Sequence, residues 1–182
     1  ERSMQILIKE NKWKYSAPSI PTSYWIEQGF DEDYITGMEC LLEQLKDNTI
    51  ELRSGTDNVQ IFLNGGIGID DDNDETILLH DDILLPHWKE FANALQLYQN
   101  SGGFHIYNVQ LTSSVIALLS SALKGKAIIK SFALVRNQFV NTREGIKFAV
   151  KSIEDNPKLE QFNWVNNEIE RMDDARYLVD AV

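Results

Sequence analysis

The residues whose types and spacing suggest chemistry are concentrated in one stretch. Gly65-Gly66-Ile67-Gly68-Ile69-Asp70 has the spacing of a GGxGxD calcium hexad, and Asp70, Asp72 and Asp74 alternate like the carboxylates that open an EF-hand loop. Calcium needs more oxygen ligands than either partial match supplies. The hexad occurs once rather than in tandem, with Asp72 where a core apolar residue belongs. An EF-hand would need glycine at Glu75 and glutamate at Asp81. A solvated acidic connector is therefore the expectation for residues 65–75, and a calcium-dependent binding module is the alternative. The same glycines do not make a phosphate cradle, because no helical pattern follows them and the adjacent carboxylates repel phosphate.

His80, His87 and His105 are the only histidines. In the strand register developed below, His80 and His105 both face solvent on neighbouring strands about 4.8 Å apart, with Asp81 nearby. No third ligand converges by spacing, so no metal site is expected. Cys40 sits near Met38, Leu41 and Leu42 and is expected to pack rather than to act as a nucleophile. G-x-S-x-G, HExxH, P-loop and kinase signatures are missing from the sequence. The expectation is a protein with no catalysis of its own and no cofactor.

Whole-chain properties narrow the partner class. The 182 residues carry 17 Lys and Arg against 28 Asp and Glu, a formal charge of -11, which disfavours nucleic acid and anionic lipid. No apolar run is long enough to span a membrane, and the opening ERSMQILIKENKWKY lacks the layout of a secretory signal. A single cysteine excludes an intrachain disulfide, and there is no Asn-x-Ser/Thr acceptor, so a reducing, cytoplasmic location is expected. The sequence starts at Glu1 and stops at Val182 within a helical pattern, the expectation being a piece of a longer or processed chain.

Positioning these groups requires elements, and internal repeats supply them. Phe104-His-Ile106-Tyr-Asn-Val109-Gln-Leu111, Phe132-Ala-Leu134-Val-Arg-Asn137-Gln-Phe139 and Phe162-Asn-Trp164-Val-Asn-Asn167-Glu-Ile169 share one template. Ile77-Leu-Leu79-His-Asp-Asp82-Ile-Leu84 fits as an earlier copy, so repeats are expected to start at 77, 104, 132 and 162. Positions one and three alternate as a short strand with one buried face, and a helical pattern follows each strand: Trp88, Phe91 and Leu95; Val115, Leu119 and Leu123; Ile146, Val150 and Ile153; Ala175 and Leu178. A strand and a helix in about 28 residues cannot bury their own apolar faces, so neighbouring units must stack. An ordinary α/β sheet also gives such periods and stays open as an alternative.

With Ile129 and Leu159 three residues before two of the strands, the copies complete an L-x-x-L-x-L-x-x-N-x-L pattern. The chain resembles the leucine-rich repeat family, in its ribonuclease-inhibitor-like class with longer, helix-containing units. The resemblance implies an α/β solenoid, parallel strands on the concave side and helices on the convex side, over residues 77–182, with residues 1–76 as an N-terminal α+β cap or flanking region. It also implies that Asp82, Asn137 and Asn167 form a side-chain ladder at the strand ends, broken at Val109. Within residues 1–76, the expected elements are a strand at Met4–Ile8, a helix through Ile35, Met38, Leu41 and Leu45 capped by Asp31, and strands at Ile50–Leu52 and Val59–Leu63 separated by a turn.

Strand positions two, four and five project from the concave side. They read Leu78, His80, Asp81; His105, Tyr107, Asn108; Ala133, Val135, Arg136; and Asn163, Val165, Asn166. Such a mixture of apolar and hydrogen-bonding groups suits a protein interface, centred on Tyr107 and Arg136. The expected function is a protein-binding or scaffolding module, with activating regulation of a GTPase as an alternative that the resemblance supplies. The uncapped C-terminal edge, with Ile169, Leu178 and Val179, is expected to permit self-association.

Overall fold

The computed structural model describes residues 13–66, 82–100, 102–124 and 129–182. Its architecture is α/β: a parallel four-stranded sheet and a row of helices. The elements in chain order are α1 (Thr22–Glu27), α2 (Glu32–Ser54), β1 (Gln60–Asn64), a 3-10 turn (Asp82–Leu84), α3 (Leu85–Leu97), β2 (Gly102–Tyr107), β3 (Gln110–Leu111), α4 (Ser113–Leu123), β4 (Ile129–Val135), β5 (Gln138–Phe139), α5 (Thr142–Glu154), β6 (Gln161–Val165) and α6 (Met172–Val179).

Local sequence explains the helix limits. Asp31 caps α2 by accepting from the Tyr34 N–H at 2.7 Å, Glu32 and Asp33 sit in its first turn, and Gly55 ends it with a left-handed φ of 76°. Thr112 and Asn141 cap α4 and α5 in the same way, accepting from Val115 and Glu144. Between Asp31 and Gly55 no residue breaks the helix, so Ile50 and Leu52, expected in a strand, belong to α2. Leu52 is buried one heptad after Leu45.

The sheet order is β1-β2-β4-β6, all parallel, with a small parallel pair β3-β5 beyond the strand ends. Strand order follows chain order, and helices meet in chain order too: α2 packs on α3, α3 on α4, α4 on α5 and α5 on α6. The core lies between the layers. Position-one side chains stack across the sheet, with Phe104 and Phe132 ring centroids 5.9 Å apart and Phe132 and Phe162 5.8 Å apart.

The first strand of the sheet comes from the N-terminal segment. In the register Ile61↔Phe104 and Leu63↔Ile106, β1 fills one side of β2 while β4 fills the other. Both hydrogen-bonding edges of β2 are therefore paired, and residues 77–79, expected to form the first repeat strand, lie outside the described residues. The segment expected to flank the repeats, residues 1–76, contributes β1 to the same sheet as β2, β4 and β6. Asp82, expected in the side-chain ladder, opens the 3-10 turn ahead of α3, and the residues just before it lie outside the described residues. The expected strand at Met4–Ile8 lies outside the described residues.

Candidate interaction surface

Each strand alternates between the core and the opposite face. Phe104, Ile106, Phe132 and Leu134 are buried, whereas His105, Tyr107 and Val135 are half-buried and Asn163 and Val165 exposed. Register then defines three ranks across the open face: Gln60, Gly103, Ser131, Gln161; Phe62, His105, Ala133, Asn163; and Asn64, Tyr107, Val135, Val165. None of these twelve residues carries a formal carboxylate, ammonium or guanidinium charge, although a quarter of the chain is charged. All-parallel sheets are normally covered on both faces, but Phe62 is 47% and Val165 43% exposed here.

Aromatic contacts organise the β1–β2 half of this face. The Phe62 and Tyr107 rings lie 4.8 Å apart, and His105 meets Tyr107 edge-on at 6.3 Å. His105 Nε2 lies 2.7 Å from Ser131 Oγ on β4, and burial pushes its pKa below the usual imidazole range, favouring the neutral ring. A histidine and a serine at this distance resemble a base–nucleophile pair. Among the described residues no carboxylate or other third group completes such a pair, which lies on the open sheet face.

The strand ends form a repeated turn. Asn108, Arg136 and Asn166, all at position five, share left-handed φ values of 53°, 54° and 53°. Asparagine tolerates this region, and Arg136 adopts it inside the same hydrogen-bonded frame. Its N–H donates to the Val165 carbonyl at 2.8 Å, as Asn108 donates to Val135 at 3.1 Å. Arg136 therefore sits at the rim, one residue beyond the rank containing Tyr107 and Val135.

At position six, Asn137 Oδ1 accepts from Val109 N–H at 3.1 Å while its Nδ2 donates to the Ile106 carbonyl at 2.9 Å. Asn167 repeats both bonds on Asn137 N–H and the Leu134 carbonyl, each at 2.7 Å. Val109 has no amide to offer β1, and a different arrangement replaces it there. Asn64 Oδ1 accepts from Gly66 N–H at 3.0 Å and from Asn108 Nδ2 at 2.9 Å. A Cβ on Gly66 would stand 2.6 Å from that Nδ2, so the glycine permits the close approach.

The expected site residues thus separate into groups. His105, Tyr107, Val135, Asn163 and Val165 share the open face, while Asn108, Arg136 and Asn166 line its rim. Ala133, expected exposed, is 1% exposed between larger neighbours in its rank. His80, Asp81 and residues 67–75 of the possible calcium segment lie outside the described residues, as does the Asp82 side chain. Among the described residues no group of three potential ligands is positioned for a metal ion. Cys40 is exposed rather than packed, because the buried stripe of α2 runs through Met38, Leu41 and Leu45 on another side. Its Sγ accepts from Gln44 Nε2 at 3.0 Å.

Sequence reasoning missed Gln60, Phe62 and Asn64, since β1 was expected within a cap. The available signal was Ile61-x-Leu63 followed by Asn64 and two glycines, hidden by the long insertion before α3. No helix among the described residues is long and apolar enough to cross a membrane. Neither a protein-family model nor a curated protein matches the chain.

Proposed function

We propose that the chain is a leucine-rich-repeat-like solenoid that binds another protein on its open sheet face, without chemistry of its own. The solenoid reading rests on strands and helices that both stack in chain order, and on asparagines that repeat one bond pattern from unit to unit. The binding reading rests on one observation: three uncharged ranks, with Phe62, Tyr107, Val135 and Val165 among amide and hydroxyl groups, on a protein a quarter of whose residues are charged. Depletion of charge around aromatic anchors is the composition of an interface core. The partner is a polypeptide presenting apolar side chains and hydrogen-bonding groups, with Arg136 contributing at the rim.

The test compares retention of a captured partner by the chain and its variants. Phe62→Ala, Tyr107→Ala and Arg136→Ala should each weaken binding by more than about 1 kcal/mol with the fold intact. Lys89→Ala and Lys151→Ala on the helices should leave it unchanged, and equal losses from these two would assign binding to the helical side.

A further inference from the structure

Each unit binds its successor through the same backbone groups. Gly65, Asn108 and Arg136 N–H donate in turn to the carbonyls of Tyr107, Val135 and Val165 at 3.0, 3.1 and 2.8 Å. Val109 and Asn137 N–H, with the Ile106 and Leu134 carbonyls, receive the amide of the following asparagine. The equivalents on β6 are Asn166 N–H, Asn167 N–H and the Trp164 carbonyl. They face away from β4, and no turn or side-chain hydrogen bond among the described residues closes on them.

The helical layer repeats the asymmetry. Aligning the residues that precede α5 and α6, Asn141 and Arg171, pairs Ala149 with Val179 and Ser152 with Val182. Ala149 and Ser152 are 0% and 5% exposed within the stack, whereas Val179 and Val182 are 72% and 79% exposed. The opposite end is closed. Gln44 Oε1 of α2 accepts from Asn64 N–H at 2.6 Å, and Asn48 Nδ2 donates to the Phe62 carbonyl at 3.3 Å. A second copy stacked head to tail would need the edge that α2 occupies. A two-fold pair would run β6 antiparallel to itself, which does not continue a parallel ladder.

We propose that the outer side of β6 and α6 docks one further strand–turn–helix unit. Its strand runs parallel to β6 with the pattern apolar-x-apolar-x-x-Asn, its asparagine amide closes onto Asn167 N–H and the Trp164 carbonyl, and its helix covers Val179. This assignment follows from continuity of the interface between units and is independent of what the open sheet face binds.

The experiment supplies such a unit. A copy of residues 153–182 appended after Val182 preserves the offset between the last two units and provides a copied Asn167. The expected result is one cooperative unfolding transition with its midpoint raised by about 5 °C or more, most of the gain being lost when the copied asparagine is replaced by leucine. Amide exchange should show Asn166 and Asn167 N–H unprotected in the 182-residue chain and protected in the extended one. An unchanged midpoint, unchanged exchange, or a gain indifferent to the copied asparagine overturns the proposal. Sedimentation of the unextended chain provides a separate check, because a saturable dimer abolished by Val179→Glu would give this side to a second copy instead.

Discussion

Asn137 ties itself to Val109 across 28 residues of sequence, its Oδ1 accepting the Val109 N–H at 3.1 Å. With its Nδ2 on the Ile106 carbonyl, one side chain satisfies a donor and an acceptor that the turn between β2 and β3 would otherwise bury unpaired. A side chain of similar size without the amide fills the space and strands both groups. Asn137→Leu should therefore lower stability by about 1–3 kcal/mol. Asn163→Leu, on the exposed face, should stay within about 0.5 kcal/mol. Urea titrations of the two variants make the comparison, and equal costs would remove the structural role assigned to Asn137.

Asn48 performs a related task at the closed end, where its side chain on α2 reaches the Phe62 carbonyl of the edge strand. Exposed strand edges pair with other chains unless something covers them. Asn48→Leu removes the donor and should lower stability by about 1 kcal/mol while promoting concentration-dependent association. Sedimentation velocity over a range of concentrations checks this, and a monomer at every concentration would show that the bulk of α2 suffices to shield β1.

Which parts of this arrangement were legible in sequence depends on where local pattern and partner agree. Phe104, Phe132 and Phe162 announced three strands because each begins a unit of nearly constant length, and Asn137 and Asn167 marked their ends. The strand at Val59–Leu63 was legible as a strand but not as the neighbour of β2, because the segment between Asn64 and Asp82 separates β1 from α3 and breaks the repeat spacing. Periodicity records spacing along the chain, whereas membership of a sheet is decided by which edge is free. The open face was legible from Tyr107, Val135 and Val165 but lacked Phe62 for the same reason. Cys40 and Ile50 were misplaced because single apolar residues were read without the full stripe of α2.

Two glycines permit close approaches that any side chain would obstruct. A Cβ at Gly102 would collide with the Val59 carbonyl oxygen, and one at Gly145 with the Phe139 ring. Backbone cannot yield as a side chain can, so Gly102→Ala should be the more damaging of the two. The expected loss is about 3 kcal/mol or more for Gly102→Ala and about 1–3 kcal/mol for Gly145→Ala. In the latter, Phe139 must shift from its stack on Trp164, where the rings lie 5.4 Å apart. Calorimetry of both variants tests the order, and a harmless Gly102→Ala would contradict the β1–β2 approach described above.

Acid should weaken the fold through its histidines, and the sign follows from their surroundings. Burial pushes His105 and His87 below the usual imidazole range, with the Pro18 carbonyl partly opposing this at His87. Tyr15, pushed up by burial and by the charge of Glu90, keeps its proton, and its hydroxyl pairs with His87 Nδ1 at 2.8 Å. Above an unfolded-state value of about 6.5 both states hold neutral histidines and stability is complete. As pH falls through about 6.5 the unfolded chain takes up protons that the folded chain refuses, so stability declines until the depressed folded values are reached. His105→Gln removes one such group while keeping a hydrogen-bonding partner for Ser131. Urea midpoints from pH 8 down to pH 5 should show the variant losing less stability than the parent below about pH 6.5. A gap between parent and variant that stays constant over the whole range would mean that His105 contributes packing alone.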